Sequence, residues 1–257
     1  MRAPLLASPR SLLAIARTLN LEPALCLDAA SAPSYAGGQT WRDVSGFGRD
    51  FVLGADANAS TDDPTFRGQL GQLTRNEAFE FDGGDFFLKS SANDAFFNGL
   101  HKDAAAWTLF AAAYIPDLAS PGRFFATRAG ATTSTGVLLA ITAAELLQLS
   151  ISNGAANVNF TSTAALTPNA WNLFGASVTI NGASFFFDNG VVDTFTATVA
   201  SPSAGDAAQT ARIGADGAGG VPMPSGTRLG CFSLFPSALS QAQFEIMRTA
   251  LRQRYET

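Results

Sequence analysis

Ser184-Phe185-Phe186-Phe187-Asp188-Asn189-Gly190 reads as an aromatic strand running straight into a tight turn. Asn and Gly accept the positive φ angles that such turns demand, so the stretch predicts a β-hairpin. Downstream, Arg212-Ile213-Gly214 reads as a short strand and residues 229–235 as a longer, alternating one. A short amphipathic helix closes the chain, with Ser240 as its N-cap. Arg248, Arg252 and Arg254 sit late in that helix, where cations favour its dipole. Upstream of the hairpin, Trp171-Asn172-Leu173-Phe174-Gly175-Ala176-Ser177-Val178 reads as a core strand.

The same pattern extends towards the start. Residues 106–114 form a long central strand, and 122–128, 136–141, 146–151 and 157–160 continue as a meander. Ala143-Ala144-Glu145-Leu146-Leu147 has helical propensity, but its neighbours argue for a strand. Phe79-Glu80-Phe81-Asp82-Gly83-Gly84-Asp85-Phe86 alternates apolar and acidic residues around a Gly-Gly turn, with Phe79 and Phe81 inward, and Glu80 and Asp82 outward or in the turn. Residues 24–29 read as the first strand. Before them, Ser8-Pro9-Arg10-Ser11 is a capped helix start, and Leu12, Leu13, Ile15 and Leu19 give that helix an apolar stripe. The stripe is to be buried on its own sandwich or on a neighbouring subunit.

With 257 residues, 47% hydrophobic and 14% charged, the chain has material for a large core and little for a solvated tail. A net charge of −5 without a basic stripe argues against nucleic-acid binding. No hydrophobic run approaches a membrane span, and Pro9, Arg10 and Arg17 interrupt any signal-peptide pattern. Cys26 and Cys231 lie at opposite ends of the sequence and read either as two small, reduced, buried hydrophobes or as a bonded pair.

The order of these pieces resembles the laminin-G-like, concanavalin A-type jelly roll. Tyr35-Ala36-Gly37-Gly38-Gln39-Thr40-Trp41-Arg42-Asp43-Val44-Ser45-Gly46 resembles the opening of such domains in structural proteins of tailed phages and gene-transfer agents. Val44 replaces the usual Leu, and Phe47 the usual Asn after the glycine. The resemblance covers residues 24–257. It implies an all-β antiparallel sandwich over 23–257, a helical arm over 1–22, and first and last strands side by side, which would bring Cys26 near Cys231. It also implies a non-enzymatic virion component, assembled in the host cytoplasm among other virion proteins as a homo-oligomer, that binds host-surface polysaccharide. A free carbohydrate-binding module and a glycan depolymerase are the alternatives. Calcium is the ligand the family suggests at a sandwich rim, with Asp82, Asp85, Asp188, Asp206 and Asp216 as candidates; each has an alternative reading as a turn residue.

Catalytic chemistry finds little footing. Retaining sugar hydrolases on this fold carry a Glu-x-Asp-x-Glu strand, which is missing here. Glu80 and Asp82 are the remaining acid–nucleophile pair, and His101 with Asp103 the remaining base and orienter. Sugar recognition falls to the loop carrying Phe96, Phe97, Asn98 and His101, whose aromatics either stack on pyranose faces or plug the sandwich edge.

Overall fold

The computed structural model describes residues 10–102, 105–130, 134–197, 205–217 and 219–255. The hairpin that decides the fold closes as expected. Phe187 N–H donates to the Val191 carbonyl (3.1 Å), Gly190 N–H donates to the Phe187 carbonyl (3.1 Å), and Gly190 takes φ 81°.

Helix α1 (Leu12–Thr18) leads into strand β1 (Leu25–Asp28). Strands β2 (Thr40–Trp41), β3 (Phe51–Leu53), β4 (Thr65–Arg67), β5 (Ala78–Glu80) and β6 (Phe87–Lys89) precede a short helix, α2 (Ala95–Gly99). Six longer strands follow: β7 (Trp107–Ile115), β8 (Gly122–Ala126), β9 (Gly136–Ile141), β10 (Leu146–Ser152), β11 (Asn157–Ala165) and β12 (Ala170–Thr179). Then come β13 (Gly182–Phe186), β14 (Val192–Thr196), β15 (Arg212–Ile213), β16 (Arg228–Phe235) and the closing helix α3 (Gln241–Tyr255). No helix among the described residues is long and apolar enough to cross a membrane.

The strands form two antiparallel sheets of eight. One runs β14-β13-β12-β7-β16-β5-β4, with β1 also on β16; the other runs β11-β10-β9-β8-β15-β6-β3-β2. Alternation along each strand sends one set of side chains between the sheets. Phe185, Ala176, Leu109, Leu234 and Leu25 align across the first sheet. Phe87, Ile213, Phe125, Leu139, Leu149 and Phe160 align across the second. Both rows are buried in one core, the oily interior of the sandwich.

The first sheet is buried on its other face as well. Phe186, Gly175, Phe110, Ser233 and Cys26 align on that face, where Phe110, Phe186 and Cys26 form a second core with Leu12 and Ile15 of α1 and Phe244, Met247 and Leu251 of α3. For this reason β16, expected to alternate, is buried at every position from Leu229 to Phe235. Gly175 is a seat for α3: a Cβ there would lie 2.7 Å from the Leu109 carbonyl and 2.8 Å from the Phe244 ring. Cys26 and Cys231 are free thiols in this layer. Burial raises both pKa values, that of Cys231 to about 12, so both stay protonated.

α1 starts at Ser11, whose hydroxyl accepts from Ala14 N–H (3.3 Å), and the expected start at Ser8 and Pro9 lies outside the described residues. Leu12 and Ile15 of the expected assembly arm are buried against their own sandwich, while Leu13 and Leu19 are half-buried beside them. Ser240 caps α3 in a capping box: its hydroxyl accepts from Gln243 N–H (3.3 Å), and Ser240 N–H donates back to Gln243 Oε1 (2.9 Å). Ala143 to Glu145 form a tight turn before β10, with Glu145 at φ 55°. At the sheet edges, the Asp193 carboxylate of β14 accepts from Thr163 N–H (2.7 Å), Ala164 N–H (2.9 Å) and the Thr163 hydroxyl (2.8 Å), tying β14 to β11.

Asp28 and Arg254 join the layers. Asp28 Oδ1 accepts from Arg254 Nη2 (2.5 Å) and from Ala30 N–H (3.2 Å). Its Oδ2 accepts from Arg254 Nη1 (3.1 Å) and from Leu12 N–H at the start of α1 (2.9 Å). Both residues are buried. Burial opposes the Arg254 charge, but Tyr255 and Asp28 reverse the effect and hold its pKa above the ordinary guanidinium value. Breaking one side of a buried, bidentate pair leaves an uncompensated charge, which costs about 3–5 kcal/mol. Arg254→Ala is therefore expected to lower unfolding stability in urea by about that amount. The double variant Asp28→Leu/Arg254→Met is expected to lose less than the sum of its single changes; additive losses would show that the two residues do not act as a pair.

Candidate functional site

The sequence pointed to the loop around Phe96, and the structure closes most of it. Asp94 caps α2, its carboxylate accepting from Phe96 N–H (3.0 Å) and Phe97 N–H (3.3 Å). That cap turns Phe97 into the core, fully buried, so it has no ring face left for a sugar. The Asn98 amide is committed to the Asn93 carbonyl (3.3 Å) and Ala207 N–H (3.3 Å). His101 is buried, not a surface residue, with Nε2 3.3 Å from the Gly205 carbonyl. Burial pushes its pKa down, and Lys102 adds to that; Asp103 lies outside the described residues. Of the two rings, Phe96 stays half-exposed. It lies against the Arg49 guanidinium (4.8 Å), which faces exposed Phe47 at 4.6 Å, and Arg49 Nε bonds Asp94 (2.6 Å). The cavity beside Phe96, about 190 Å³, is walled by Ala95, Gly99, Leu100, Ala105, Ala106, Trp107 and Pro236 and has no polar side chain to bind hydroxyls.

The acidic candidates disperse in the same way. Asp188 accepts from Arg248 Nη1 (3.2 Å), which anchors the hairpin turn to α3. Asp216 accepts from Gly220 N–H (2.9 Å), Asp206 pairs with Lys102 (3.0 Å), and Asp82 accepts from Gly84 N–H (2.8 Å). Asp85 Oδ2 accepts from Asp82 N–H (2.8 Å). Asp82, Asp85 and Asp216 serve their own turns, Asp188 and Asp206 hold basic side chains from distant segments, and among the described residues no three His, Cys, Asp or Glu side chains converge as metal ligands. Among the described residues the five aspartates therefore form no shared set of three side-chain ligands. Glu80 accepts from Arg67 (2.9 Å) and Arg228 (2.8 Å). Burial works against its charge, but the two arginines prevail and hold its pKa below the ordinary value, the reverse of what a proton donor needs.

A better-formed site lies where α3 ends over the first sheet. Tyr114 near the end of β7 and Trp171 near the start of β12 stand directly opposite in the ladder. Their rings are 6.2 Å apart and edge-to-face, and Trp171 lies 4.7 Å from the Tyr255 ring of α3. Arg228, opposite Tyr114 on β16, places its guanidinium 5.3 Å from that ring. Thr167, Asn169, Arg75 and Asp188 complete a groove of about 490 Å³. Tyr114 and Trp171 are half-exposed, Thr167 and Asn169 exposed.

Buried Asn172 builds the polar side of this groove. Its Nδ2 donates to the carbonyls of Thr167 and Ala170 (both 2.9 Å), and its Oδ1 accepts from Thr167 N–H (2.7 Å). The turn held this way places Asn169 at φ 55°, a left-handed conformation that Asn tolerates. The result is a rigid aromatic platform edged by a hydroxyl, an amide, a guanidinium and a carboxylate. Sequence reasoning took Trp171 for core packing. Its pairing with Tyr114 across more than fifty residues left no local signal.

No protein-family model matches the chain, and no curated protein matches its sequence. Solved structures do match its fold. The crystal structure of HCR/D-Sa-GBL1/C matches with TM-score 0.61 at 11% identity, over 90% of this chain and 52% of that one. A structure on the cell entry of botulinum neurotoxin type C, which depends on interaction with two ganglioside molecules, matches with TM-score 0.60 at 12% identity, over 91% and 53%. A mutant of Trypanosoma rangeli sialidase displaying trans-sialidase activity matches with TM-score 0.58 at 16% identity, over 96% and 36%. The chain thus spans about half of the first two proteins and about a third of the sialidase. At such identities the likeness is one of fold alone, a concanavalin A-like antiparallel β-sandwich.

Asp85 supplies a test of local electrostatics. Burial, helped by nearby Asp82 and Asp63, raises its pKa from 3.8 to about 7. Between those values the folded protein keeps a proton that the unfolded chain has released. The stability this group contributes is present at low pH and is lost as pH rises through 7. Asp85→Asn removes that loss, so relative to wild type it gains roughly 1–3 kcal/mol between pH 5 and pH 8. Thermal melts of both proteins across that range would show the gain; a difference constant with pH would refute the shift.

Proposed function

We propose that the chain is a non-enzymatic glycan-binding sandwich, displayed on a virion as an accessory or attachment component, and that it holds sugar in the Tyr114–Trp171 groove. The observation that carries the binding reading is the partly exposed Trp171 ring beside Tyr114, with Thr167, Asn169, Arg75 and Asp188 within the same groove. An apolar ring face suits the C–H face of a pyranose, and the surrounding groups suit its hydroxyls. Because Asn172 and Tyr255 fix the groove before any ligand arrives, little ordering entropy opposes binding. The fold it shares with a toxin that interacts with gangliosides adds weight to a carbohydrate ligand.

The virion setting is supported by the resemblance of the Tyr35–Gly46 opening to phage and gene-transfer-agent domains. Display in several copies would raise the avidity of a shallow groove. Support for a non-catalytic role comes from Glu80, held ionised between two arginines, the reverse of a proton donor.

A glycan array probed with the purified protein is expected to give discrete binding that Trp171→Ala lowers at least tenfold, in a variant that still unfolds cooperatively at a lower melting temperature because the ring also packs on Tyr255. Equal binding by the variant would remove the groove from the reading. Sedimentation of purified particles, followed by mass spectrometry, is expected to find the chain with the particle fraction; recovery only in the soluble fraction would count against the virion setting.

A further inference from the structure

Of the two charged side chains that line the Tyr114–Trp171 groove, Asp188 is engaged and Arg75 is not. Asp188 Oδ1 accepts from Arg248 Nη1 (3.2 Å), and the same nitrogen donates to the Asp188 carbonyl (2.7 Å). The Arg75 side chain, half-buried in the groove wall, forms no hydrogen bond, ion pair or ring contact among the described residues. Nearby charges do not supply its partner. Arg248 is shared between Asp188 and Glu245, and Glu80 is shared between Arg67 and Arg228, so the surplus acid of one cluster offsets the surplus base of the other. A guanidinium left unpaired in a half-buried wall costs more than one in open solvent.

The turn that carries Arg75 is fastened on both sides. Buried Glu77 takes Thr74 N–H (2.9 Å) and the Thr74 hydroxyl (2.6 Å) on Oε2, and Gln69 N–H (3.2 Å) on Oε1, which spends its carboxylate within the turn. Asn76 N–H donates to Thr74 Oγ1 (3.2 Å), and the Thr74 carbonyl accepts from Arg254 Nε (3.4 Å). Arg254 is the neighbour of Tyr255, whose ring packs 4.7 Å from that of Trp171. The cation and the aromatic platform are thus both tied to the end of α3. Two further groups in the groove, the Thr167 hydroxyl and the Asn169 amide, are exposed and make no side-chain hydrogen bond among the described residues.

We propose that the groove takes an acidic sugar residue, its carboxylate bonded by Arg75 and its ring stacked on Trp171. This rests on the glycan-binding reading of the same groove and narrows it to one class of sugar. A planar carboxylate accepts two parallel N–H bonds from a guanidinium and supplies the charge that Arg75 lacks, a match that a neutral hydroxyl does not offer. Thr167 and Asn169 are left to bond the ring hydroxyls. The volume of about 490 Å³ falls within the roughly 300–1,000 Å³ of small-molecule sites. The aromatic pair favours a sugar over a bare inorganic anion, which would leave Tyr114 and Trp171 uncovered.

The test titrates trigalacturonate, its methyl ester, 3′-sialyllactose and lactose into the intact protein by calorimetry, beside Arg75→Gln and Trp171→Ala. Wild type is expected to bind at least one acidic sugar at least tenfold more tightly than its neutral counterpart. Arg75→Gln is expected to keep the melting temperature, since no bond within the protein is lost, and to bring the acidic sugar down to the level of the neutral one. Trp171→Ala is expected to weaken acidic and neutral sugars alike. Equal affinity for acidic and neutral sugars in wild type, or an acid preference unchanged in Arg75→Gln, overturns the proposal; the groove reading survives that result if Trp171→Ala still loses neutral-sugar binding. Acid binding at full strength in Trp171→Ala removes the groove, and this proposal with it. No binding of either acidic sugar overturns the proposal and leaves the groove to the glycan array. Competition by inorganic sulfate or by a poly-glutamate peptide at equal strength also overturns it and assigns Arg75 to an anion that is not a sugar.

Discussion

One buried carboxylate sets the terms for the whole structure. Asp28 ends the first strand, receives the first N–H of α1 and takes both terminal nitrogens of Arg254 near the end of α3. Its charge cannot be left bare in that interior, so β1, both helices and the strand β16 beneath them must all be in place together. The residues concerned are separated by 226 positions, so the pair is among the most non-local contacts of the fold. The pair thus couples closure of the sandwich to docking of the helical layer.

That layer divides the molecule into unlike faces. Under α1 and α3 the first sheet is buried twice, and only where α3 ends do Tyr114 and Trp171 emerge beside the polar turn. On the second sheet, outward Ala126, Leu138 and Ala140 are buried in a small apolar cluster of their own, apart from both cores.

Local pattern served the fold well and the sites poorly. The Asp-Asn-Gly turn, the alternation at Phe79 and Phe81 and the Ser240 cap each act within a few residues, so the sequence displays them directly. The pairing of first and last strands came from the resemblance and is present as Leu25 opposite Leu234. The Phe96 loop misled because an exposed-looking aromatic pair and a helix cap are written alike: Asp94 spends itself on backbone N–H groups and rolls Phe97 inward. Trp171 owes its place in the groove to strands that meet only in space, and no spacing along the chain announces it. The helical cover over β16 was hidden too, since alternation cannot distinguish a solvated face from one lying beneath a second core.

The clasp of Asp193 on Thr163 and Ala164 has a further consequence. Open strand margins invite foreign backbones to add on, and a nine-residue margin such as β11, free of Lys, Arg and Pro, is a ready template for runaway polymerisation. By turning one margin's acid onto the other's amides, the molecule makes each border the guard of its neighbour. Copies crowded side by side can then touch without fusing into fibres.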